Sequence, residues 1–587
     1  MKSRYLKIPK DSSSGFGLFC WGLLIIVSVF IVYIASSDLT AGPSGLRWVG
    51  RSLKNMSLRE KIGQMIICRY IGRFVNQESD YFAQLKHLIE DQHIGGLIMF
   101  RGMVYETAAL TNACQDMADI PLLIASDLER GLGHQVIGAV DFPPMMGLGA
   151  TRSEKLAYSM GEITAREGRA VGIHMTFAPV VDVNVNPKNP IINTRSIGED
   201  PELVARLSIS FMKGCQKNGM LVTAKHFPGH GDTDKDSHST LPTLNIGKER
   251  LENVELYPFR AAIDSGVQAI MTAHLWIPAL EPAEDLPATL SPAVLTGLLR
   301  KDLGFQGLIV SDAMEMGGIT TVVTPEVAAI KAVQAGVDIL LLPLEPDKTL
   351  NALCLAVRKG DISEERINES VLRILKTKAM LKLHKERFVD IQHLNRTIAK
   401  KSSEKRSTML YERSLTLIQN KDNVFPLEAQ EAIPTVISLN SDTGNHYAGS
   451  AFIDEVKKRV PEARGYFAGP STDLDRILRN IEFDEKNDVI VLALFSRMAD
   501  KKGHLNIHRQ HVRFIKSMME KNLPVIAISF GSPYFIEQFP GVDGYLCAYH
   551  HSLKAQVAAA KALFGEILTS GKLPVSIPDL YPYGHGL

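Results

Sequence analysis

The chain has 587 residues, 45% of them hydrophobic and 22% charged, which is an ordinary composition for a globular protein with a large core. Its 65 basic and 64 acidic side chains give a formal net charge of +1. This balance excludes the strongly basic character of most nucleic-acid-binding proteins, so no nucleic-acid partner is expected. A prior of roughly 100–200 residues per domain predicts several domains.

The N-terminus combines a basic segment, residues 1–15, with an uncharged apolar run at residues 16–35. An α-helix needs roughly twenty such residues to cross the hydrocarbon core of a bilayer. The core of a cleaved signal peptide is usually shorter, about 7–15 residues. We therefore predict a transmembrane anchor, with residues 1–15 as a cytoplasmic tail and the remaining chain in the periplasm or outside the cell. A cleaved signal and a buried helix of a soluble fold are the alternatives.

Short apolar runs alternate with longer amphipathic segments between residues 53 and 385. Continuous apolar runs predict strands that are buried on both faces of a parallel sheet. The segments 153–172 and 325–336 have the apolar spacing of helices. An α/β fold with a (β/α)8 TIM-like barrel over residues 53–385 is predicted, and a large doubly wound sheet is the alternative. The eight predicted strands are 63–68, 95–100, 121–127, 174–183, 221–227, 269–275, 307–314 and 337–343.

A charged linker at residues 386–410 separates the predicted barrel from a second region, residues 411–587. Alternation between apolar runs and helical patterns resumes in this region. It predicts a second, smaller α/β domain of open, layered type. The predicted strands are 414–420, 488–495, 523–531 and 542–549, and the predicted helices are 511–522 and 553–565.

Polar side chains stand at the carboxyl ends of several predicted barrel strands. Asp127 ends the third strand, Lys225 and His226 end the fifth, and Asp312 ends the seventh, while Arg195 lies in the long connection after the fourth. The chemistry of α/β barrels is located at this rim, because the loops after the strands meet there. These side chains are therefore candidate functional residues.

The loop KHFPGHGDTDKDSH, residues 225–238, gathers histidines, aspartates and lysines. It does not fit a calcium-binding EF-hand, which needs glycine at position six and glutamate at position twelve, since Ser237 and Thr243 stand there when Asp232 is the first position. His226 and His230 have the spacing of zinc ligands on a helix, but the intervening proline and glycines break helices. Metal binding and a solvated turn remain alternative interpretations of this loop. The prediction that we favour includes neither a bound metal ion nor a cofactor.

General acid–base chemistry is the hypothesis that we favour for this loop. Asp236 and His238 flank one serine, so their side chains would lie on the same side of an extended segment. A carboxylate bonded to an imidazole fixes its tautomer and stabilises its charged form. The unperturbed pKa of histidine, roughly 6.5, suits proton transfer near neutrality. Asp312 is the carboxylate best placed to act as a nucleophile, and an N-cap of the following segment is its alternative role.

The sequence resembles glycoside hydrolase family 3, specifically its bacterial β-N-acetylglucosaminidases. Their barrel signature is close to KH(F/I)PGHG followed by DSH, and residues 225–238 match it. Further similarity lies in FAPVVDV, TRSIGEDP and VSDAMEM, at residues 177–183, 194–201 and 310–316. In the second domain the similar segments are SLTLIQNKDNVFPL and GKLPVSIPDLYPYGHGL, at residues 414–427 and 571–587.

The resemblance implies a retaining exo-acting enzyme that removes terminal β-linked GlcNAc from peptidoglycan fragments or chitooligosaccharides. It implies that Asp312 is the nucleophile and that Asp236 and His238 are the acid/base pair. It also implies that four residues hold the hydroxyls of the terminal sugar. These are Asp127, Arg195, Lys225 and His226.

One motif departs from the family pattern DxEGGRVxR. Residues 127–135 read DLERGLGHQ, so both later arginines are replaced, by Leu132 and Gln135. The alternatives to the implied activity are a family member with another sugar specificity, a GlcNAc phosphorylase and a metal-dependent hydrolase. From a different class comes a non-catalytic, membrane-anchored sugar-binding protein.

Overall fold

The computed structural model describes residues 42–587 apart from 443, 444, 446, 480, 482, 485 and 497–505. The predicted tail at residues 1–15 and the predicted transmembrane segment at residues 16–35 lie outside the described residues. Within the part of the chain that is described, no helix is long and apolar enough to cross a bilayer.

A nearly closed barrel of eight parallel strands forms the first part of the described chain. The strands follow one another in sequence order around the barrel, and a parallel bridge between Val310 and Ile339 brings the seventh beside the eighth. This arrangement confirms the predicted barrel and excludes an open doubly wound sheet. The strands are β1 (Ile66–Ile71), β2 (Gly96–Phe100), β3 (Leu123–Ser126), β4 (Met175–Thr176), β5 (Leu221–Phe227), β6 (Ala269–Thr272), β7 (Leu308–Val310) and β8 (Leu340–Leu341).

Helices cover the outside of the barrel and bury its strands. Their ends follow local sequence signals: Asp200 caps the helix Pro201–Lys217 by accepting a hydrogen bond from Leu203 N, and Pro201 occupies the first turn, where no donor is needed. The predicted helical segments 153–172 and 325–336 are confirmed. The barrel α-helices of seven or more residues are Pro43–Asn55, Leu58–Gln64, Asp80–Lys86, Val104–Met117, Met145–Thr151, Glu154–Ala170, Pro201–Lys217, Tyr257–Asp264, Pro325–Ala335, Pro346–Lys359 and Glu364–Met380, and Ala293–Asp302 is π-helical.

A six-stranded sheet forms the second domain, and the helix Lys401–Ser414 leads into it. Its strands are parallel except the first, which pairs antiparallel with the last. The predicted layered α/β domain is thus present, with two strands that the apolar pattern did not predict, β10 and β11. The strands are β9 (Thr416–Asn420), β10 (Ile433–Asn440), β11 (Arg464–Ala468), β12 (Asp488–Phe495), β13 (Val525–Ser529) and β14 (Gly544–Cys547), and the helices are Ser450–Arg459, Leu474–Arg479, Arg509–Met519 and Leu553–Leu563.

The C-terminal segment binds the second domain to the barrel beside the connection that carries Arg195. Glu199 accepts two hydrogen bonds from Ser576, each 2.7 Å long, and its own backbone N–H donates to Pro574 O. A side chain at Gly198 would meet Pro574 O at 2.3 Å, so only glycine permits this approach. Part of the TRSIGEDP motif therefore joins the two domains.

Candidate active site

A cavity of about 1020 Å³ opens at the carboxyl ends of the barrel strands. The second domain supplies one of its walls, through Phe530, Ser532, His550 and neighbouring residues. A cavity of this size accommodates a small oligosaccharide. Six of the seven predicted site residues line it, and the seventh, Asp236, lies behind His238. The six are Asp127, Arg195, Lys225, His226, His238 and Asp312.

Four charged side chains form a linear ion-pair network on the floor of the cavity. Lys225 Nζ lies 2.8 Å from Asp127 Oδ1 and 2.9 Å from Glu129 Oε1. Arg195 binds Glu129 with both ends of its guanidinium, at 2.7 and 3.0 Å. Burial would raise the pKa of Glu129, but Arg195 and Lys225 hold it well below its usual range. Because this carboxylate stays ionised and fully engaged, it is not suited to donate a proton.

Asp182 organises the start of the histidine-rich loop, and sequence reasoning did not assign it to the site. The residue is fully buried, and its carboxylate accepts hydrogen bonds from His226 Nδ1 and His230 N, both at 2.7 Å. His226 N also donates to it at 3.2 Å. The sequence signal that could have identified Asp182 is a charged residue near the end of the apolar stretch at residues 174–183. Because Nδ1 of His226 is bonded to Asp182, Nε2 of the same ring points away from Asp182 and is available to bind a ligand.

His238 and Asp236 meet as predicted, at 2.8 Å between Nδ1 and Oδ1. The expected extended geometry is wrong, because this segment is a turn in which Ser239 N and Thr240 N donate to Asp236 O. Asp236 Oδ1 also accepts from His238 N at 2.8 Å. The carboxylate therefore holds both the ring and the backbone of His238, and the imidazole lines the cavity.

Asp312 follows β7 and lies on the wall of the cavity. Its Oδ1 accepts a hydrogen bond from Ala313 N at 2.8 Å. Burial alone would raise the pKa of Asp312, but the positive potential of His226 and His274, with that backbone bond, lowers it to about 2. The segment after Asp312 also holds the segment that carries His238, since Gly317 N and Gly318 N donate to His238 O and Ser237 O. An ionised carboxylate and an imidazole are thus fixed at one site.

The two histidines spaced like zinc ligands have other partners. His226 is bonded to Asp182, while His230 contacts Ser237 Oγ at 2.9 Å and Thr233 Oγ1 at 2.8 Å. Burial lowers the pKa of His230 to about 4, so its ring is neutral. In the described part of the chain, no group of three or more histidine, cysteine or acidic side chains could hold a metal ion.

The substituted positions of the third-strand motif behave differently from one another. Leu132 is fully buried, whereas Gln135 lines the cavity and donates to Asp127 O at 3.3 Å. Arg130 stands where the family pattern has glycine, and its Nη1 lies 2.8 Å from Asp141 Oδ1. The chain therefore has an arginine at this wall of the cavity, but at position 130 rather than at 132 or 135.

A barrel rim that presents an ionised aspartate and a half-buried acid/base candidate to a sugar-sized cavity is typical of glycoside hydrolases. Residues 57–377 match the model of the glycosyl hydrolase family 3 N-terminal domain. Residues 415–582 match the model of the family 3 C-terminal domain. The chain belongs to glycoside hydrolase family 3.

Relatives share both the sequence and the fold over most of the chain. A β-N-acetylglucosaminidase/β-glucosidase of Cellulomonas fimi is 28% identical over 573 residues, which are 92% of this chain and 98% of that one. A β-hexosaminidase A of Pseudoalteromonas piscicida is 34% identical over 376 residues, 59% of this chain and 62% of its own length.

Two solved structures superpose over about nine-tenths of the chain. A family 3 β-N-acetylglucosaminidase from Paenibacillus sp. has a TM-score of 0.78 and 33% identity, covering 89% of this chain and 99% of its own. A β-glucoside phosphorylase has a TM-score of 0.83 and 26% identity, covering 92% and 98%. Both a hydrolase and a phosphorylase therefore resemble this protein.

Proposed function

We propose that the protein is a retaining exo-β-N-acetylglucosaminidase that removes terminal β-linked GlcNAc from peptidoglycan fragments or chitooligosaccharides. The observation that carries this proposal is the pairing of His238 with Asp236 at 2.8 Å, in the cavity that also holds Asp312. The similarity to β-N-acetylglucosaminidases and β-hexosaminidases supports the sugar assignment.

Asp312 is the nucleophile in this mechanism. Its carboxylate attacks the anomeric carbon as the glycosidic C–O bond breaks, giving a covalent glycosyl-enzyme. His238 donates its Nε2 proton to the leaving oxygen, and Asp236 stabilises the imidazolium that exists before the transfer. His238 then takes a proton from water, which attacks the anomeric carbon and releases the sugar with retained configuration.

The ion-pair network and His226 hold the terminal sugar. The carboxylate of Asp127 accepts hydrogen bonds, and the cationic groups of Lys225 and Arg195 donate them. Together they suit the hydroxyls of a neutral sugar, which both donate and accept. His226 presents Nε2 to the same sugar, because Asp182 occupies Nδ1. The charges of this network balance, so a neutral ligand is favoured over an anion.

Phosphorolysis is a second candidate reaction. A neutral imidazole as acid/base does not repel an anionic acceptor as a second carboxylate would, and a phosphorylase has a similar fold at 26% identity. Against it, Arg195 and Lys225 are already neutralised by carboxylates within 3.0 Å. Hydrolysis therefore remains the first choice.

Three assays separate these functions. The chromogenic aglycone should be released much faster from a β-GlcNAc substrate than from β-glucose, and equal or reversed rates would refute the N-acetylglucosaminidase assignment. Adding inorganic phosphate should leave free GlcNAc as the product, whereas a sugar 1-phosphate would establish the phosphorylase. A purely sugar-binding protein would turn over neither substrate, and chelators should have no effect on the rate.

We also propose that residues 16–35 anchor the enzyme, with its catalytic part outside the cytoplasm. The support is the length of this uncharged run after a basic segment. The full chain should fractionate with membranes and resist salt extraction, and removal of residues 1–40 should give a soluble, active enzyme. Recovery of the full chain in the soluble cytoplasmic fraction would refute the anchor.

A further inference from the structure

Two histidines and an arginine line one wall of the cavity without a role in the proposed mechanism. Arg130 and His134 belong to the loop after β3, and His550 follows β14 of the second domain. We call these three residues the two-domain wall. Both domains are required to build it.

A hydrogen-bonded chain links two members of the two-domain wall, Arg130 and His550. Arg130 Nη1 lies 2.8 Å from Asp141 Oδ1, and Tyr411 OH donates to Asp141 Oδ2 at 2.8 Å. His550 Nδ1 lies 3.4 Å from Tyr411 OH and 4.0 Å from Asp141 Oδ2. Because Tyr411 is fully buried in the helix that joins the domains, the imidazole of His550 is fixed relative to the barrel.

The charge of the two-domain wall suits a neutral ligand. Arg130 is neutralised by Asp141. Burial lowers the pKa of His134 to about 3, with a further contribution from Arg130, and burial also holds the pKa of His550 well below its usual range. Both rings are therefore neutral near pH 7. A neutral imidazole both donates and accepts, which matches a sugar hydroxyl better than a carboxylate or a phosphate.

His134 also has an unmet hydrogen-bonding group. Its Nδ1 is buried and has no hydrogen-bond partner among the residues that the structure describes. A buried polar atom without a partner destabilises the protein, so such atoms are uncommon and call for an explanation. Rotation of the imidazole would bring this atom to the cavity that His134 lines, where a ligand hydroxyl would satisfy it.

The neighbours of His134 indicate which part of the ligand it meets. Its imidazole is close enough to Glu129, Lys225 and Arg195 for their charges to act on its pKa. The two-domain wall thus adjoins the sugar-holding network. It also stands beside Gln135, where the family pattern has an arginine.

We propose that His134 and His550 are specificity-determining residues that bind the C4 and C6 hydroxyls of the terminal sugar, in place of the missing arginine. Arg130 positions His550 through Asp141 and Tyr411. This inference rests on the proposed function, since it places the sugar with its anomeric carbon at Asp312.

The test compares 4-nitrophenyl β-GlcNAc with its 4-deoxy and 6-deoxy analogues. In the wild type, loss of a hydroxyl that the wall binds should lower kcat/KM by roughly 3- to 10-fold for each hydrogen bond. His134→Ala and His550→Ala should each lower kcat/KM for the parent substrate by a similar factor. Each variant should then no longer distinguish the parent from one of the deoxy analogues.

A structural role alone would lower activity on all three substrates equally, and unchanged discrimination in both variants would overturn the proposal. His134→Asn, which keeps a neutral donor and acceptor, should recover part of the discrimination and serves if the alanine variant does not fold. His393→Ala is the matched control, because this exposed histidine lies outside the cavity. If the wild type prefers β-glucose, the proposed N-acetylglucosaminidase activity is wrong. The role of the two-domain wall is then tested in the same way with 4-deoxy and 6-deoxy glucosides.

Discussion

The carboxylate of Asp182 lies 2.7 Å from His226 Nδ1, with no exposure to solvent. It also accepts from the backbone of His226 and His230, so one buried side chain sets both a ring orientation and the path of the loop. The positive potential of His226 keeps the pKa of Asp182 low, although burial opposes this. The orientation of the His226 ring in the cavity therefore depends on a residue that does not line the cavity.

Asp182→Asn should impair substrate binding and turnover together. The amide has one acceptor and one NH2 group, so it would place a donor against His226 Nδ1 or against His230 N. Hydrogen bonds to charged groups contribute about 1.5–3 kcal/mol each, so kcat/KM should fall by about 10–150-fold. Steady-state kinetics on 4-nitrophenyl β-GlcNAc measures this, with the Tm recorded in parallel.

Asp543→Asn is the matched control, since this carboxylate accepts from Val525 N in the second domain, away from the cavity. Its kcat/KM should stay at the wild-type value. Wild-type kinetics in Asp182→Asn would contradict the positioning role.

Sequence patterns were sufficient to predict the barrel and to single out six residues that line one cavity. Lys225 and His226 stood out because they end β5, whose other residues are apolar apart from a threonine. Two strands of the second domain were missed for local reasons. Strand β10 contains proline and several polar residues, and β11 lies at the edge of its sheet, where it is mostly half-buried. Neither has the continuous apolar run of a central parallel strand.

Contacts between distant segments were not predictable from the sequence pattern. His550 meets Tyr411 and approaches Asp141 only because the second domain folds back over the barrel rim. The pairing of Asp236 with His238 was predicted, but from an extended segment, whereas a turn brings them together. Spacing of two residues permits both geometries, and the docking of this loop on Gly317 and Gly318 selects the turn.

Asp312 should remain an active nucleophile in acid. Its pKa is lowered to about 2, so the carboxylate is ionised above about pH 3. In His238→Ala, with a dinitrophenyl leaving group that needs no proton, the rate of glycosyl-enzyme formation should be the same at pH 4 and pH 6. Rapid quenching and intact-mass spectrometry measure this rate, and circular dichroism checks that the protein stays folded. A rate that halves near pH 4 would indicate an ordinary aspartate.

Lys378 predicts a pH-dependent stability of the barrel. This lysine is fully buried, and its Nζ donates to Gln64 Oε1 at 2.6 Å. Burial, with a contribution from Arg387, lowers its pKa from 10.5 to about 7. Between pH 7 and 10.5 the unfolded chain therefore binds more protons at this site than the folded chain. Burial of Lys378 therefore destabilises the folded protein least above pH 10.5. This destabilisation increases as the pH falls from 10.5 to about 7 and is constant at lower pH.

Lys378→Met removes this penalty. Relative to the wild type, the variant should gain about 4 kcal/mol of unfolding free energy between pH 10 and pH 6. Loss of the Gln64 hydrogen bond lowers the variant's stability at both pH values, so the difference between them is the quantity to measure, by urea denaturation. Lys376→Met, at an exposed position on the same helix, is the control and should show no such difference. An equal effect at both pH values would mean that Lys378 stays charged in the folded protein.

The catalytic roles of Asp312 and His238 should separate by leaving group. Asp312→Ala removes the covalent route and should abolish turnover of every substrate. His238→Ala should cost about 10²–10⁴-fold on disaccharides, where the leaving oxygen needs a proton. With a nitrophenyl leaving group, the first step needs little protonation, so glycosyl-enzyme should accumulate and appear as a burst of nitrophenol. Asp236→Ala should show a milder form of the same pattern, because it orients the imidazole without transferring the proton.

Azide supplies the decisive measurement for His238, because it attacks the glycosyl-enzyme without a general base. It should speed the steady state of His238→Ala on the nitrophenyl substrate and yield a β-glycosyl azide, identified by its anomeric configuration. The wild type, whose second step already has a base, should gain little. Full activity of His238→Ala on disaccharides would remove the dyad from the mechanism. Glu129 is then a poor substitute, since Arg195 and Lys225 hold it ionised, and Glu315, which lies 2.5 Å from Arg69 on the cavity wall, becomes the residue to test.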